Sequence, residues 1–197
     1  MTIATVIEAW NRADPAAIHP TRRISEDAYQ ASGRAQAEAL TTVLPDGCRI
    51  VDFGCGDGRV THPLKALGYQ VTAADGSQAM LDRITAADPD LATVLTDGTD
   101  LAAKLPRKAD AVLSLAVLIH HGYEAGERIV EGLRAAVRVG GLLVLDWPTA
   151  AQPAEGGSWI GVTTWSRERQ EQLATRIGLQ WVDSDLPWPV FRAVKAA

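Results

Sequence analysis

Three aspartates, three glycines and a histidine pair stand where chemistry can be done. In "RIVDFGCGDGRVTHPL", residues 49–64, Asp52 comes two positions before Gly54, and Gly54, Gly56 and Gly58 alternate after it. An apolar run that ends in glycines marks a strand turning sharply into a helix. Without Cβ atoms the backbone turns tightly there and a ligand can approach main-chain N–H groups. The carboxylate of Asp52 suits an ammonium group better than a pyrophosphate. Asp75 follows Gly58 by seventeen residues and closes a second apolar run; a carboxylate there can accept both hydroxyls of a ribose. Asp97, followed by Gly98, closes a third run and can accept from an exocyclic amine. His120 and His121 follow a fourth run, and an imidazole titrates near neutral pH, so either could take a proton from a nucleophile.

The elements that must hold these residues read as alternating strands and helices. "CRIVDF", "YQVTAAD", "LATVLT", "ADAVLSL" and "GGLLVLDW" are continuous apolar runs, as strands buried on both faces are. Between them, helices are predicted from the glycines to about Leu67, from a Ser77 cap to about Ala87, and over Glu124–Val139. Upstream, Ile3, Val6, Ile7 and Trp10 share one face of an N-terminal helix. Prolines break the chain over Asp14–Pro20, and Ser32 reads as the cap of a helix running to about Leu44. Downstream, Ser166 caps a helix that Gly178 ends. "LQWVDSD" and "VFRAVK" then form a hairpin whose last strand is antiparallel. In a parallel sheet all the strand ends named above open on one edge, where ligands bind.

Length and composition set the bounds. The chain has 197 residues, 47% of them hydrophobic, enough for one domain with a sizeable core. We divide it into an N-terminal helical cap or lid over residues 1–31 and a core over residues 32–197. A net charge of -5 argues against a broad nucleic-acid surface. No apolar run is long enough for a membrane helix, and the first residues lack the pattern of an export signal. Cys48 and Cys55 flank one strand, about 20 Å apart at roughly 3.3 Å per residue. They read as free thiols in a reducing cytoplasm. No spacing of metal ligands stands out. A dinucleotide fingerprint would require glycine at position 59, which is Arg59, so a nicotinamide cofactor is disfavoured.

In order, "VDFGCGDGRV", "VTAADGSQAML", "LTDGTDL", "ADAVLSLAVLIHH" and "LRAAVRVGGLLVLDW" resemble the successive motifs of class I S-adenosylmethionine-dependent methyltransferases. The resemblance runs from about Ser32 to the C-terminus. It implies a Rossmann-like, doubly wound α/β fold with a mostly parallel seven-stranded sheet in the order 3-2-1-4-5-7-6. It implies S-adenosylmethionine as cofactor and S-adenosylhomocysteine as product. Asp52, Phe53, Gly54, Cys55 and Gly56 would then line the methionine end. Asp75 would take the ribose, Gly76, Ser77 and Met80 would flank the adenosine, and Asp97, Gly98 and Thr99 would meet the adenine. Ser114, Leu115 and Ala116 would pass beneath the methionine moiety, and Tyr29 would lie over the cofactor.

The expected function is methyl transfer to a small molecule by in-line displacement, which needs positioning and exclusion of water more than a strong acid–base pair. A protein that binds the cofactor without methylating anything is the alternative. His120 or His121 is either a base or a packing residue. Trp147 and Trp159 could wall a substrate, whereas Trp181 and Trp188 suit packing of the hairpin. Little chain remains for a substrate domain. Recognition therefore falls to the N-terminal helices, the segment after His121 and the loop over Pro148–Val162. The molecule would be a monomer or homodimer, with no nucleic-acid or membrane partner.

Overall fold

The structure, a computed structural model, describes residues 2–13 and 25–195. The proline break over Asp14–Pro20 lies outside the described residues. Seven strands form one sheet: β1 (Arg49–Phe53), β2 (Gln70–Asp75), β3 (Ala92–Leu95), β4 (Ala109–Ser114), β5 (Val137–Leu145), β6 (Leu179–Val182) and β7 (Val190–Ala193). Their order is β3-β2-β1-β4-β5-β7-β6, as expected. The pairs from β3 through β5 are parallel, and β7 runs antiparallel to both β5 and β6.

The helices are α1 (Ile3–Arg12), α2 (Glu26–Leu40), α3 (Thr61–Ala66), α4 (Gln78–Ala87), α5 (Leu101–Lys104), α6 (Tyr123–Ala136) and α7 (Arg167–Arg176). Strand residues alternate between two cores, as the period of a pleated strand requires. Val51, Phe53, Val112, Leu143 and Leu145 pack with Ile129, Leu133 and Leu173 of α6 and α7. Ile50, Ala111, Leu113, Leu142 and Val144 pack with Leu40, Leu64, Leu81 and Ile84 of α2, α3 and α4. Both faces are covered, which is why the strands read as unbroken apolar runs.

Two boundaries differ from expectation. Ser25, not Ser32, caps α2: its side chain accepts from Ala28 N–H, and Ser32 sits inside the helix donating to the Tyr29 carbonyl at 2.6 Å. Glu26 and Asp27 follow the cap in the first turn, where acids are favoured by the helix dipole. The division at residue 31 therefore falls within a continuous helix. At the other end, α6 stops at Ala136 and the chain extends at once, with Val137 at φ -95° and ψ 141°. Val137 then pairs with Ala109, and the register shifts before Leu142 pairs with Ala111. β-Branched Val137 and Val139 ahead of a glycine pair favour strand over another helical turn.

At the amino ends of the strands, opposite the site, Asp110 accepts from Arg49 N–H at 3.0 Å, Arg49 Nε at 2.9 Å and Arg138 Nε at 2.6 Å. Those hydrogen bonds hold its carboxyl well below the usual carboxylate range. The clamp fixes the register of the central strands and so the relative height of the residues at their other ends.

Candidate active site

A cavity of about 410 Å³ opens at the carboxyl ends of β1, β2 and β4. Asp52, Phe53, Gly54, Cys55, Gly56, Asp75, Gly76, Met80, Asp97, Leu115, Ala116, Tyr29, His120 and His121 all line it. Four of the expected residues do not. Ser77 is fully buried, donating to Asn11 Oδ1 at 2.8 Å and accepting from Met80 N–H, so it ties α4 to α1. Ser114 is buried within β4. Thr99 lies behind Asp97, donating to its Oδ1 through both N–H (2.9 Å) and hydroxyl (2.6 Å). Gly98 faces inward, where a Cβ would meet the Phe53 ring at 2.7 Å.

The glycine turn works differently from the sequence expectation. The amides of Gly54 and Cys55 donate back to the Ala74 carbonyl, at 2.7 and 3.2 Å, and Gly56 N–H donates to Asp75 Oδ2 at 3.0 Å. These donors are engaged within the protein. What the glycines supply is conformation and room: Gly54 and Gly56 have φ +75° and +55°, and a Cβ on Gly56 would meet nothing within 4 Å. A turn whose amides face inward suits a cationic group better than an anion.

Asp52 is 4% exposed and accepts from Thr61 Oγ at 2.6 Å. Burial pushes its carboxyl up to about 6, against the opposing pull of Thr61 and Arg59. Asp75 accepts from Gly56 N–H and, through its other oxygen, from Ser77 N–H at 2.8 Å. A carboxylate offers about four lone-pair sites, so two remain for a diol. Burial raises this carboxyl too, opposed by its backbone hydrogen bonds. Cys55 is buried, and burial followed by the charges of Asp75 and Asp52 drives its thiol upward, which makes it a packing group.

Several lining residues escaped sequence reasoning. Asp57 and Arg59 alternate with the glycines of the turn. Asp57 accepts from Tyr29 O–H at 2.6 Å, and Arg59 donates to Ser32 Oγ at 3.1 Å with its guanidinium 5.5 Å from the Tyr29 ring centre. Ile3, Val6, Ile7 and Trp10 bring α1 over the cavity, where Ile7 would clash with any side chain at Gly76. The shared apolar face of α1 and its place as a cap were visible; which of its residues reach the cavity was not, because α1 packs on residues more than sixty positions away. Ile160 and Val162 enter from the loop after β5.

Ala116 has φ 59°, a conformation rare for a residue with a Cβ, and its N–H donates to Asp146 Oδ2 at 3.2 Å. This bend turns the chain after β4 along the cavity wall and leads into a 3₁₀ turn, Leu118–His120. Trp147 does not wall the cavity: it is 1% exposed and packs edge-on to Trp165 at 5.4 Å. Trp159 packs edge-on to Trp10, also at 5.4 Å. Trp181 lies against Phe191 within the hairpin, and Trp188 against the second core. Among the described residues there is no cluster of potential metal ligands and no helix long and apolar enough to cross a membrane.

The site fits an adenosyl sulfonium with an amino-acid tail. An open cradle lies in front of Gly56, a buried acid stands at the turn, and two further acids lie at the successive strand ends. Comparison with known proteins leads to the same place. A family model described as a methyltransferase domain matches residues 51–145. A mitochondrial ubiquinone biosynthesis O-methyltransferase of Arabidopsis thaliana is 36% identical over 80 residues, 38% of this chain and 25% of that protein. An uncharacterized methyltransferase of Mycobacterium bovis is 32% identical over 113 residues, 57% of this chain and 45% of the relative. The matches thus span between a quarter and a half of these relatives' lengths. Among solved structures, magnesium protoporphyrin IX methyltransferase from Synechocystis, with bound S-adenosylmethionine, superposes with a TM-score of 0.68 at 18% identity, covering 98% of this chain and 96% of that one. DesVI of Streptomyces venezuelae gives a TM-score of 0.70 at 16% identity, covering 94% and 100%. At such identity these structures speak for the fold; the matched segment speaks for the family. Residues 51–145 thus match the methyltransferase domain family, and the sheet that carries them has the fold of the class I S-adenosylmethionine-dependent methyltransferases.

Proposed function

We propose that this protein transfers a methyl group from S-adenosylmethionine to a small-molecule acceptor in the cytoplasm. The observation that carries the reading is the convergence of Asp52, Asp75 and Asp97, from three separate strand ends, on one cavity beside an open glycine turn. Bound there, the cofactor supplies a methyl group on a sulfonium, displaced in line with a neutral thioether as the leaving group. Asp52 would pair with its ammonium and Arg59 with its carboxylate. The two spare lone-pair sites of Asp75 would accept from the ribose hydroxyls. Phe53 and Met80 would pack on the adenosine, and the free oxygen of Asp97 would accept from the adenine amine. α1 closes over these groups through Val6 and Ile7 and excludes water from them. The direct test is transfer of label from methyl-tritiated S-adenosylmethionine into an acceptor, with matching release of S-adenosylhomocysteine. Saturable cofactor binding without such release from any acceptor would favour a non-methylating protein.

Asp52 gives this reading a pH signature. Its carboxyl must ionise to hold an ammonium, and in the empty protein it does so only at about pH 6. Cofactor affinity is therefore expected to rise as pH increases through 6 and to level off above 7, by calorimetry from pH 5 to 8. Asp52→Asn should bind more weakly and show no such slope. Stability runs the other way. The folded carboxyl sits near 6 against an ordinary 3.8, so the folded state holds the proton more tightly and loses stability as pH climbs between those values. At about 1.4 kcal/mol per pH unit the loss approaches roughly 3 kcal/mol above pH 6. Without ligand, Asp52→Asn should resist urea better than wild type at pH 7.5, with the advantage gone near pH 4.

A further inference from the structure

We infer, resting on the methyl-transfer reading above, that Asp146 is a positioning residue: its carboxylate bends the chain after β4 at Ala116 and so sets the wall that faces the methionine end of the cofactor. Among the described residues Ala116 alone combines a side chain with a positive φ, 59°. Such a backbone conformation costs free energy and persists only where its surroundings hold it. The holding group comes from the residue that follows β5. Ala116 N–H donates to Asp146 Oδ2 at 3.2 Å.

The carboxylate stands in for a main-chain acceptor. β4 and β5 pair in parallel as far as Ser114 and Leu145, and Asp146 N–H then donates to the Ser114 carbonyl at 2.8 Å. A continuing parallel ladder would next give the Ala116 amide to the Asp146 carbonyl. The Asp146 side chain takes that amide instead, and the ladder ends. The alternation of β4 ends with it. Leu113 and Leu115 pack in the second core, as residues two apart on a strand do, but Val117 packs against the first. From there Val117 reaches the glycine turn: a Cβ on Gly54 would stand 2.0 Å from Val117 Cγ2.

The bend serves both parts of the cavity. Leu115, Ala116 and Val117 line it beside Gly54 and Gly56, where the methionine end of the cofactor would lie. Beyond them the 3₁₀ turn offers the Ile119 carbonyl to Thr163 N–H at 2.7 Å, which seats the loop that carries Ile160 and Val162. Asp146 does not itself line the cavity, so it acts on a ligand through Ala116. Burial raises its carboxyl, and the Ala116 hydrogen bond works against that rise. Because burial opposes the charge, what the bend needs from this side chain is an oxygen at the right reach.

The test compares S-adenosylhomocysteine with 5′-methylthioadenosine, two thioethers that share the adenosine and differ in the amino-acid tail. By calorimetry, Asp146→Ala is expected to weaken S-adenosylhomocysteine binding at least about tenfold, the scale of one hydrogen bond to a charged group. Methylthioadenosine binding should change by less than about threefold, because the adenosine lies away from the bend. Glycine adopts a positive φ freely, so in an Ala116→Gly background the same change should cost S-adenosylhomocysteine less than about threefold. Asp146→Asn keeps an oxygen at this reach and should recover most of the wild-type affinity. Asp146→Ser is too short to do so and should follow alanine, which gives a second probe if the alanine variant does not fold. Equal losses in the Ala116 and Ala116→Gly backgrounds, or equal losses for the two thioethers, would reduce Asp146 to general packing and overturn the inference. Full affinity in Asp146→Ala would overturn it too. Each of those results leaves methyl transfer standing, whereas wild-type protein that gives no heat with either S-adenosylmethionine or S-adenosylhomocysteine would remove both.

Discussion

Asp75→Ala is expected to weaken S-adenosylmethionine binding by at least about 100-fold while the protein stays folded. The carboxylate has two tasks. It holds the glycine turn and the start of α4 through Gly56 N–H and Ser77 N–H, and it would present its remaining lone pairs to a ribose. Hydrogen bonds to a charged group contribute about 1.5–3 kcal/mol each, so two lost from the ligand amount to roughly 3–6 kcal/mol. That predicts a loss of about 10² to 10⁴ in affinity. Folding has less at stake, because burial already disfavours the ionised carboxyl and its removal relieves that cost. Titration calorimetry measures the first effect and urea denaturation the second. Asp75→Asn is the finer probe: its amide keeps one acceptor for the backbone and meets the other N–H with a donor, so binding should fall between wild type and alanine. Near-native affinity in Asp75→Ala would place the ribose elsewhere.

Gly33→Ala is expected to give a large loss of stability from a single added methyl. Gly33 lies in the middle of α2, where alanine would ordinarily gain up to about 1 kcal/mol from helix propensity. Here a Cβ would stand 2.0 Å from the Arg59 carbonyl oxygen and 2.7 Å from Arg59 Cγ. The first atom is backbone and cannot swing aside, so α2 must move off the glycine turn. Overpacking of this kind typically costs about 1–3 kcal/mol and can cost more, which outweighs the propensity gain. A net loss of about 2 kcal/mol or more in urea denaturation is expected. Cofactor binding should weaken with it, because Tyr29, Ser32 and Arg59 meet at this contact. Unchanged stability would show that α2 is not seated on the turn.

The sheet was legible because its signals are local. Each parallel strand is an apolar run, each turn has its glycine or serine cap, and the order of the acids follows the order of the strands. The Ser32 misreading shows where local signals compete: Ser25 and Ser32 both precede helical sequence, and the acids after Ser25 decide between them. Asp52, Asp75 and Asp97 were found as a site because sequence position fixed their place at one sheet edge. Arg59 was not, and for Trp10 and Ile160 only their segments were expected there, because what brings the individual side chains to the cavity is packing between distant segments. Gly98 and Thr99 show the opposite error. Neighbours of a site residue in sequence, they turn away from the cavity into packing and into support of Asp97. The inward-facing amides of Gly54, Cys55 and Gly56 could not be inferred from glycine spacing, which reports freedom of the backbone and not its direction.

The most direct measurement is calorimetric titration of S-adenosylmethionine into the wild-type protein at pH 7.5. The account predicts a saturable one-to-one heat that weakens as the pH is lowered below 6 and is lost in Asp75→Ala. A folded protein that gives no heat, or one that binds equally well at pH 5, would contradict it.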